Sequence, residues 1–192
     1  LQSTTFQVLS ALCYCRCYGV LHRDLKPSNI LIDPATRRVK LADFGLARVR
    51  RDRRSLTGGV QTLWYRAPEV LLGLRNYSGA VDVWSLACVF AEMAALRPLF
   101  PGRCEIDQLY RIFAVTGTPS EADWPGVASL PNVRASAAGC PFTELWPRWP
   151  RRDPGRVLPQ SVCRSGLDLF ARMLTADPTQ RITCEAALRH PY

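Results

Sequence analysis

The sequence predicts a mainly α-helical domain with one small β-hairpin, and three observations lead to this fold class. Apolar residues recur at helical spacing from about residue 4 to 18. Two short β-type runs enclose a polar turn at 33–38, and residues 81–96 are apolar almost all the way round. Because 192 residues can bury a sizeable core, residues 1–192 are expected to form a single domain.

The first sixty residues predict a helix, a hairpin and a loop, in that order. The apolar positions of the helix are Phe6, Leu9, Leu12 and Cys13. Gly19 then ends the helix. The strands of the hairpin are expected at 29–32 and 39–42, and an Asp-Pro step opens the turn between them. Residues 48–62 are basic and contain glycine, which is typical of a mobile loop.

The remaining residues predict a central helix with further helices after it. Over 81–96 only Asp82 and Glu92 are charged, so this helix is expected to lie buried in the middle of the domain. Two further helices are expected, at 105–116 and 165–174. Residues 118–160 are rich in Pro, Gly and Trp and predict ordered irregular structure.

The net charge of +9 comes largely from two arginine clusters. The first comprises Arg48, Arg50, Arg51, Arg53 and Arg54, and the second comprises Arg148, Arg151, Arg152 and Arg156. Neither has the interleaved aromatics of a surface that binds single-stranded nucleic acid, so no direct nucleic-acid partner is expected. Solvated arginines on loops are the expectation for both clusters, although the first leaves acidic substrates or partners as an alternative.

The eight cysteines do not predict a metal site. There is no Cys-x-x-Cys, and the chain has only two histidines. We therefore expect reduced, mostly buried thiols in a protein of the nucleus or cytoplasm. No apolar run approaches the roughly 20 residues that span a bilayer, so no membrane partner is expected. The chain opens without Met or a signal-peptide pattern and is expected to begin inside a longer protein.

Three short motifs follow one another in the first 70 residues. Residues 22–29 are His-Arg-Asp-Leu-Lys-Pro-Ser-Asn, residues 43–45 are Asp-Phe-Gly, and residues 67–69 are Ala-Pro-Glu. In this order, with a hairpin between the first two, they resemble the catalytic loop, the metal-binding loop and the end of the activation segment of protein kinases. The resemblance implies the C-terminal lobe of a two-lobe α+β kinase fold, with ATP and Mg²⁺ as cofactors.

The resemblance also assigns roles to individual residues. Asp24 matches the catalytic base, and Lys26 matches the residue that reaches the transferring phosphate. Asn29 and Asp43 match the ligands of Mg²⁺, an ion that accepts hard oxygen ligands and keeps several waters. Taken singly, the carboxylates and the amide could equally be turn or capping residues. Their combination favours phosphoryl transfer, which depends on positioning and charge neutralisation.

Three more positions near the site match family residues. Thr62 matches a residue that hydrogen-bonds the Asp24–Lys26 pair, and Leu31 matches the apolar floor under the adenine ring. His22 matches a residue that packs beneath Phe44, and it is not expected to be catalytic.

Three positions match residues that hold the kinase lobe together. Asp82 matches an aspartate that binds the catalytic-loop backbone. Glu69 and Arg181 match a buried ion pair that fixes the activation segment.

Two stretches, 62–69 (Thr-Leu-Trp-Tyr-Arg-Ala-Pro-Glu) and 102–109 (Gly-Arg-Cys-Glu-Ile-Asp-Gln-Leu), resemble the group that contains cyclin-dependent and mitogen-activated kinases. Three more, 117–119 (Gly-Thr-Pro), 124–127 (Trp-Pro-Gly-Val) and 130–131 (Leu-Pro), resemble the cyclin-dependent kinases in particular. A mitogen-activated kinase would carry Thr-x-Tyr before this segment, whereas two glycines follow Thr57. The chain departs from the family in lacking the glycine-rich loop, the strand lysine and the helix that binds a cyclin.

The subgroup resemblance implies how the kinase would be regulated and which substrates it would take. Thr57 matches the threonine that an activating kinase phosphorylates, and Arg23 and Arg48 match two arginines that receive the phosphate. An unmodified loop threonine is the alternative. Arg66 matches the residue that bonds the backbone carbonyl at Val60, which leaves a pocket for proline after the target Ser or Thr.

Two functions from different classes remain. The first is a cyclin-dependent Ser/Thr kinase that acts on Ser/Thr-Pro substrates with a cyclin-like subunit, of which this chain is an inactive piece. The second is a non-catalytic lobe that binds substrates or regulatory subunits.

Overall fold

The computed structural model describes residues 1–49, 62–136 and 146–192. The helices in these residues are α1 (Gln2–Cys17), α2 (Pro68–Leu71), α3 (Ala80–Ala95), α4 (Glu105–Thr116), α5 (Pro131–Ser136), α6 (Pro154–Val157), α7 (Arg164–Met173) and α8 (Cys184–Leu188). The strands are β1 (Val20–Leu21), β2 (Ile30–Ile32), β3 (Val39–Leu41) and β4 (Arg48–Val49). The described part is mostly helical, as the sequence predicted.

Helix α3 lies at the centre of the core, which confirms the prediction for 81–96. Every residue from Val81 to Ala91 is buried. The ring of Trp84 stacks on Phe100 at a centroid distance of 6.1 Å, and Phe90 stacks on Phe170 at 6.0 Å. Helices α1 and α7 pack against α3.

Helix α1 presents Val8, Leu9 and Leu12 to the core. It begins two residues before the predicted start, and Gly19, with a φ of 71°, follows it in the left-handed conformation that glycine adopts readily. Phe6 was counted on the apolar face, but 56% of its surface is exposed. Helical spacing alone therefore overstated the width of the buried face.

The predicted hairpin is present, with β2 and β3 antiparallel and Ile30 opposite Leu41. The side chain of Asp33 holds the turn, because it accepts hydrogen bonds from the Ala35 backbone and the Thr36 hydroxyl. A second sheet was not predicted: β1 pairs with β4, and Leu21 lies opposite Arg48.

The predicted loop at 48–62 was therefore wrong at its first two residues, because strands of two residues have no periodicity to detect. Residues 50–61 lie outside the described part. In the predicted irregular region, 118–160, the described residues contain α5 and α6, and α8 was not predicted.

The cysteines are only partly as expected. The described cysteines are all free thiols, but Cys17, Cys104 and Cys163 are exposed, and only Cys88 and Cys184 are buried. The expectation of mostly buried thiols was wrong. Across the described ranges, no group of three or more His, Cys, Asp or Glu side chains is arranged to hold a metal ion. No helix found there is long and apolar enough to cross a membrane.

Candidate active site

Asp82 of helix α3 holds the backbone of the loop between β1 and β2 by hydrogen bonds. The carboxylate of Asp82, in the first turn of α3, accepts hydrogen bonds from the backbone N–H of His22 at 3.0 Å and of Arg23 at 2.8 Å. Arg23 has a φ of 69°, a conformation that costs energy for a residue with a side chain. Burial raises the pKa of Asp82, while the two backbone donors oppose that rise. Asp82 thus holds the loop in a shape that its sequence alone does not favour.

Three of the predicted residues, Lys26, Asn29 and Thr62, meet at the carboxylate of a fourth, Asp24. The Lys26 ammonium lies 2.8 Å from Oδ2 of Asp24. Asn29 donates from Nδ2 to the Asp24 carbonyl at 2.8 Å and to Oδ2 at 3.2 Å. Thr62 donates its backbone N–H and its hydroxyl to Oδ1 at 3.3 and 3.4 Å, and its hydroxyl accepts from Lys26 at 3.2 Å. Both oxygens of the buried Asp24 carboxylate are therefore oriented by named donors.

The hairpin links the backbone just before Asp43 to Asn29, a member of the cluster around Asp24. The Ala42 N–H donates to the Asn29 carbonyl at 2.9 Å, which extends the β2–β3 pairing by one step. Asp43 follows at once, is exposed, and has a φ of 61°. Its Oδ1 accepts from the Gly45 N–H at 3.3 Å.

The side-chain oxygens of Asp43 and Asn29 are suitable ligands for a magnesium ion. Asp43 offers an exposed carboxylate, and the amide oxygen of Asn29 is not used in the bonds to Asp24. Mg²⁺ is commonly held by one or two protein oxygens together with phosphates and waters. A site of this kind needs no cluster of three charged ligands.

His22 packs against the ring of Phe44, as predicted. Its Nε2 is 3.0 Å from the Ala42 carbonyl, and its ring is 4.8 Å from that of Phe44. The side chain is fully buried. This packing joins the 22–29 loop to the 43–45 loop.

The family model of the protein kinase domain matches residues 1–192 of the chain. The chain belongs to the protein kinase family. Residues 22–29 and 43–45 match the sequence motifs that this family has in its catalytic loop and its metal-binding loop.

Helix α2 is tied to the C-terminal part of the domain. Glu69 of α2 and Arg181 form a two-pronged ion pair with N–O distances of 2.7 and 2.8 Å, and both side chains are 0% exposed. Arg181 also donates to the carbonyls of Ala80, Thr175 and Ala176. Its guanidinium lies 5.0 Å from the centre of the Trp84 ring. The pair is fully satisfied although it is fully buried.

The predicted phosphate-receiving residues are only partly described. The buried Arg23 side chain donates to the Leu46 carbonyl at 3.3 Å and lies 5.7 Å from the centre of the Tyr77 ring. Its Nε has no hydrogen-bond partner among the described residues. Thr57 lies outside the described residues, and of Arg48 only the backbone of β4 is described.

Arg66 has a partner that the sequence analysis missed. The buried guanidinium is paired with the exposed Glu105 carboxylate at the start of α4, with an N–O distance of 2.5 Å. Thirty-nine residues separate the two, so no local pattern reveals the contact. Val60, the predicted neighbour of Arg66, lies outside the described residues.

Leu31 and two other apolar side chains in the hairpin and just after it are exposed. Leu31 is 54% exposed, Ile32 is 50% exposed, and Phe44 is 43% exposed. The resemblance places the adenine ring over Leu31, and an accessible apolar side chain suits that role.

Proposed function

We propose that this protein is a serine/threonine kinase of the cyclin-dependent type, which transfers the γ-phosphate of ATP to Ser or Thr residues followed by proline. The observation that carries the proposal is the convergence of Lys26, Asn29 and Thr62 on the Asp24 carboxylate. A scaffold has no physical need for a buried carboxylate oriented in this way, because burying such a group is costly.

In this proposal Asp24 orients the substrate hydroxyl and accepts its proton. The donors to both carboxylate oxygens fix the direction in which Asp24 points, and a misplacement of about 1 Å costs roughly 10²-fold in rate. Lys26 puts a positive charge beside the acceptor site, where it offsets the charge of the transferring group. Mg²⁺ held by Asn29 and Asp43 would neutralise the phosphates of ATP.

We attribute the proposed preference for proline-containing substrates to the pocket beside Arg66. A Val60 carbonyl that is already bonded to Arg66 cannot accept from the backbone N–H of the substrate residue after Ser or Thr, and proline, which has no N–H there, loses no hydrogen bond. Phosphorylation of Thr57 by an activating kinase would add a dianion that Arg23 and Arg48 can pair with. A cyclin-like subunit as partner and a place in the nucleus or cytoplasm belong to the same proposal.

The 192 residues contain no Gly-x-Gly-x-x-Gly run, and transfer requires groups that cover the nucleotide phosphates. We therefore propose that the chain acts only together with a kinase N-terminal lobe, and that alone it does not catalyse transfer.

The test is transfer of labelled phosphate from Mg-ATP to a Ser-Pro peptide and to its Ser-Ala counterpart. The chain is assayed alone, and again when joined to a kinase N-terminal lobe and mixed with a cyclin. Transfer by the completed form only, favouring Ser-Pro and lost on Asp24→Asn, is the expected result. Equal use of both peptides contradicts the proline preference. No transfer by a folded completed form favours the binding module instead, and robust transfer by the chain alone overturns the need for a second lobe.

A further inference from the structure

Three of the four arginines of the second cluster, Arg148, Arg151 and Arg152, lie on a segment with a three-residue repeat. Residues 146–152 are Trp-Pro-Arg-Trp-Pro-Arg-Arg, here called the Trp-Pro-Arg segment. Its tryptophans are partly buried, whereas its prolines and arginines are exposed. Trp146 packs edge-on against Phe113 of α4 at 5.4 Å, and Trp149 packs edge-on against Tyr110 at 4.5 Å. The aromatic side faces α4, so the arginines are left on the outside.

Hydrogen bonds fix the backbone of this segment. Thr118 donates its N–H to the Trp149 carbonyl at 3.1 Å, and the Trp149 N–H donates to the Thr118 hydroxyl at 3.2 Å. The Arg152 N–H donates to the Val115 carbonyl at 2.9 Å, and the Arg151 guanidinium donates to the Ala171 carbonyl at 2.7 Å. Prolines at 147 and 150 restrict φ further. The arginines are exposed, as the sequence analysis expected, and the segment that carries them is held in one backbone conformation.

The positive charge of the segment is not cancelled locally. From 146 to 156 there are four arginines and one acidic residue, Asp153, which gives a net charge of +3. The Asp153 carboxylate accepts from the Gly155 N–H at the start of α6. The arginines in the ion pairs of the described ranges are others: Arg16, Arg66, Arg111, Arg172 and Arg181. The guanidinium groups of Arg148, Arg152 and Arg156 are thus exposed and outside those ion pairs.

We propose that the Trp-Pro-Arg segment, together with Arg156, binds an acidic, extended segment of a partner protein. A guanidinium group pairs with a carboxylate through two parallel hydrogen bonds, which makes arginine suited to this recognition. Four residues of an extended chain span roughly 12 Å, so an extended acidic ligand can place one carboxylate against each of the exposed side chains of Arg148 and Arg152. Because the segment is already ordered, binding costs little conformational entropy on this side.

Two other polyanionic partners, a nucleic acid and a membrane surface, fit the Trp-Pro-Arg segment less well. Trp149 interrupts the arginines, contrary to the sequence analysis, but its ring is partly buried against Tyr110 and offers a poor stacking platform for a nucleic-acid base. A membrane surface would call for exposed apolar side chains beside the arginines, and both tryptophans are turned towards α4. The proposal does not depend on the kinase activity.

The experiment measures binding of a labelled Glu-rich peptide to the 192-residue chain by fluorescence anisotropy, at low and at physiological salt. The test variant is Arg148→Gln/Arg152→Gln/Arg156→Gln, which keeps Arg151 and its bond to Ala171. The control variant is Arg38→Gln/Arg97→Gln/Arg189→Gln, which removes the same charge from exposed positions elsewhere. We expect saturable binding that weakens about tenfold in the test variant and less than about twofold in the control variant.

Circular dichroism must show both variants folded, and Arg148→Glu alone serves as a milder second variant expected to weaken binding. Equal weakening by the control variant would mean that only net charge matters, and would overturn the proposal. So would the absence of saturable peptide binding. An oligo-dT strand that binds more tightly than the peptide and depends on the same arginines would show a nucleic-acid surface instead.

Discussion

Replacing Glu69 by glutamine isolates the charge of the buried ion pair while keeping its shape. In the wild-type protein Arg181 makes two bonds to Glu69 and three to backbone carbonyls, with no solvent access. The glutamine amide would offer one carbonyl and point an N–H₂ group at a cation that has lost its counter-charge. Removing one partner of a buried pair costs about 3–5 kcal/mol, and we expect about 3 kcal/mol because the amide retains one bond. For a domain of this size that lowers Tm by roughly 6–12 °C.

The assay is urea and thermal unfolding followed by circular dichroism, with Glu185→Gln as the matched control. The Arg16–Glu185 pair has the same 2.7 Å distance as one arm of the buried pair, but its side chains are 40% and 36% exposed. Exposed pairs contribute less than about 1 kcal/mol. A loss below about 1 kcal/mol for Glu69→Gln, or equal losses for both variants, would refute the reasoning from burial.

Two further predictions concern the metal loop and the alkaline limit of stability. Asp43→Asn should leave Tm nearly unchanged, because Asn also tolerates the left-handed backbone and keeps an oxygen for the Gly45 N–H. The same variant should abolish Mg-dependent phosphate transfer by the form completed with an N-terminal lobe. Near-normal transfer would contradict the assignment of Asp43 as a metal ligand. Burial raises the pKa of Cys184 from 9.0 to about 12, so the unfolded thiol loses its proton first and stability falls as the pH rises from about 9 to 12. Urea unfolding in reductant should show that Cys184→Ala reduces this fall by up to about 1.4 kcal/mol per pH unit, and an unchanged slope would show that Cys184 does not contribute.

Sequence reasoning succeeded where neighbouring residues decide the structure. The run at 81–96 has almost no charge to place in water, so its burial follows directly from composition. The hairpin was predicted because a polar turn separates two β-type runs, and Asp33 does hold that turn. The cluster around Asp24 was anticipated from the kinase motifs rather than from spacing.

Contacts between distant residues that no family motif marks were beyond the sequence. The bond from Arg66 to Glu105 and the pairing of β1 with β4 depend on how the chain returns on itself. Exposure was also misjudged, as Phe6 and Cys17 show, because spacing on a helix does not reveal how wide a face its neighbours cover. The roles of Thr57 and Val60 stay predictions.

Asn29 is assigned two tasks, to orient the Asp24 carboxylate and to offer an oxygen ligand to the metal ion. Its amide nitrogen holds Asp24, its backbone carbonyl holds the chain that leads into Asp43, and its amide oxygen is the atom assigned to the metal. Two hydrogen bonds, from Asn29 Nδ2 to Oδ2 of Asp24 and from the Ala42 N–H to the Asn29 carbonyl, therefore link the Asp24 carboxylate to the backbone that leads into Asp43, 19 residues further along the chain. A cation that draws on the amide oxygen must also restrict the rotation of the side chain that orients Asp24. Where a cation and a hydroxyl substrate are coupled through Asn29, thermodynamic reciprocity requires that each change the binding affinity of the other by the same factor.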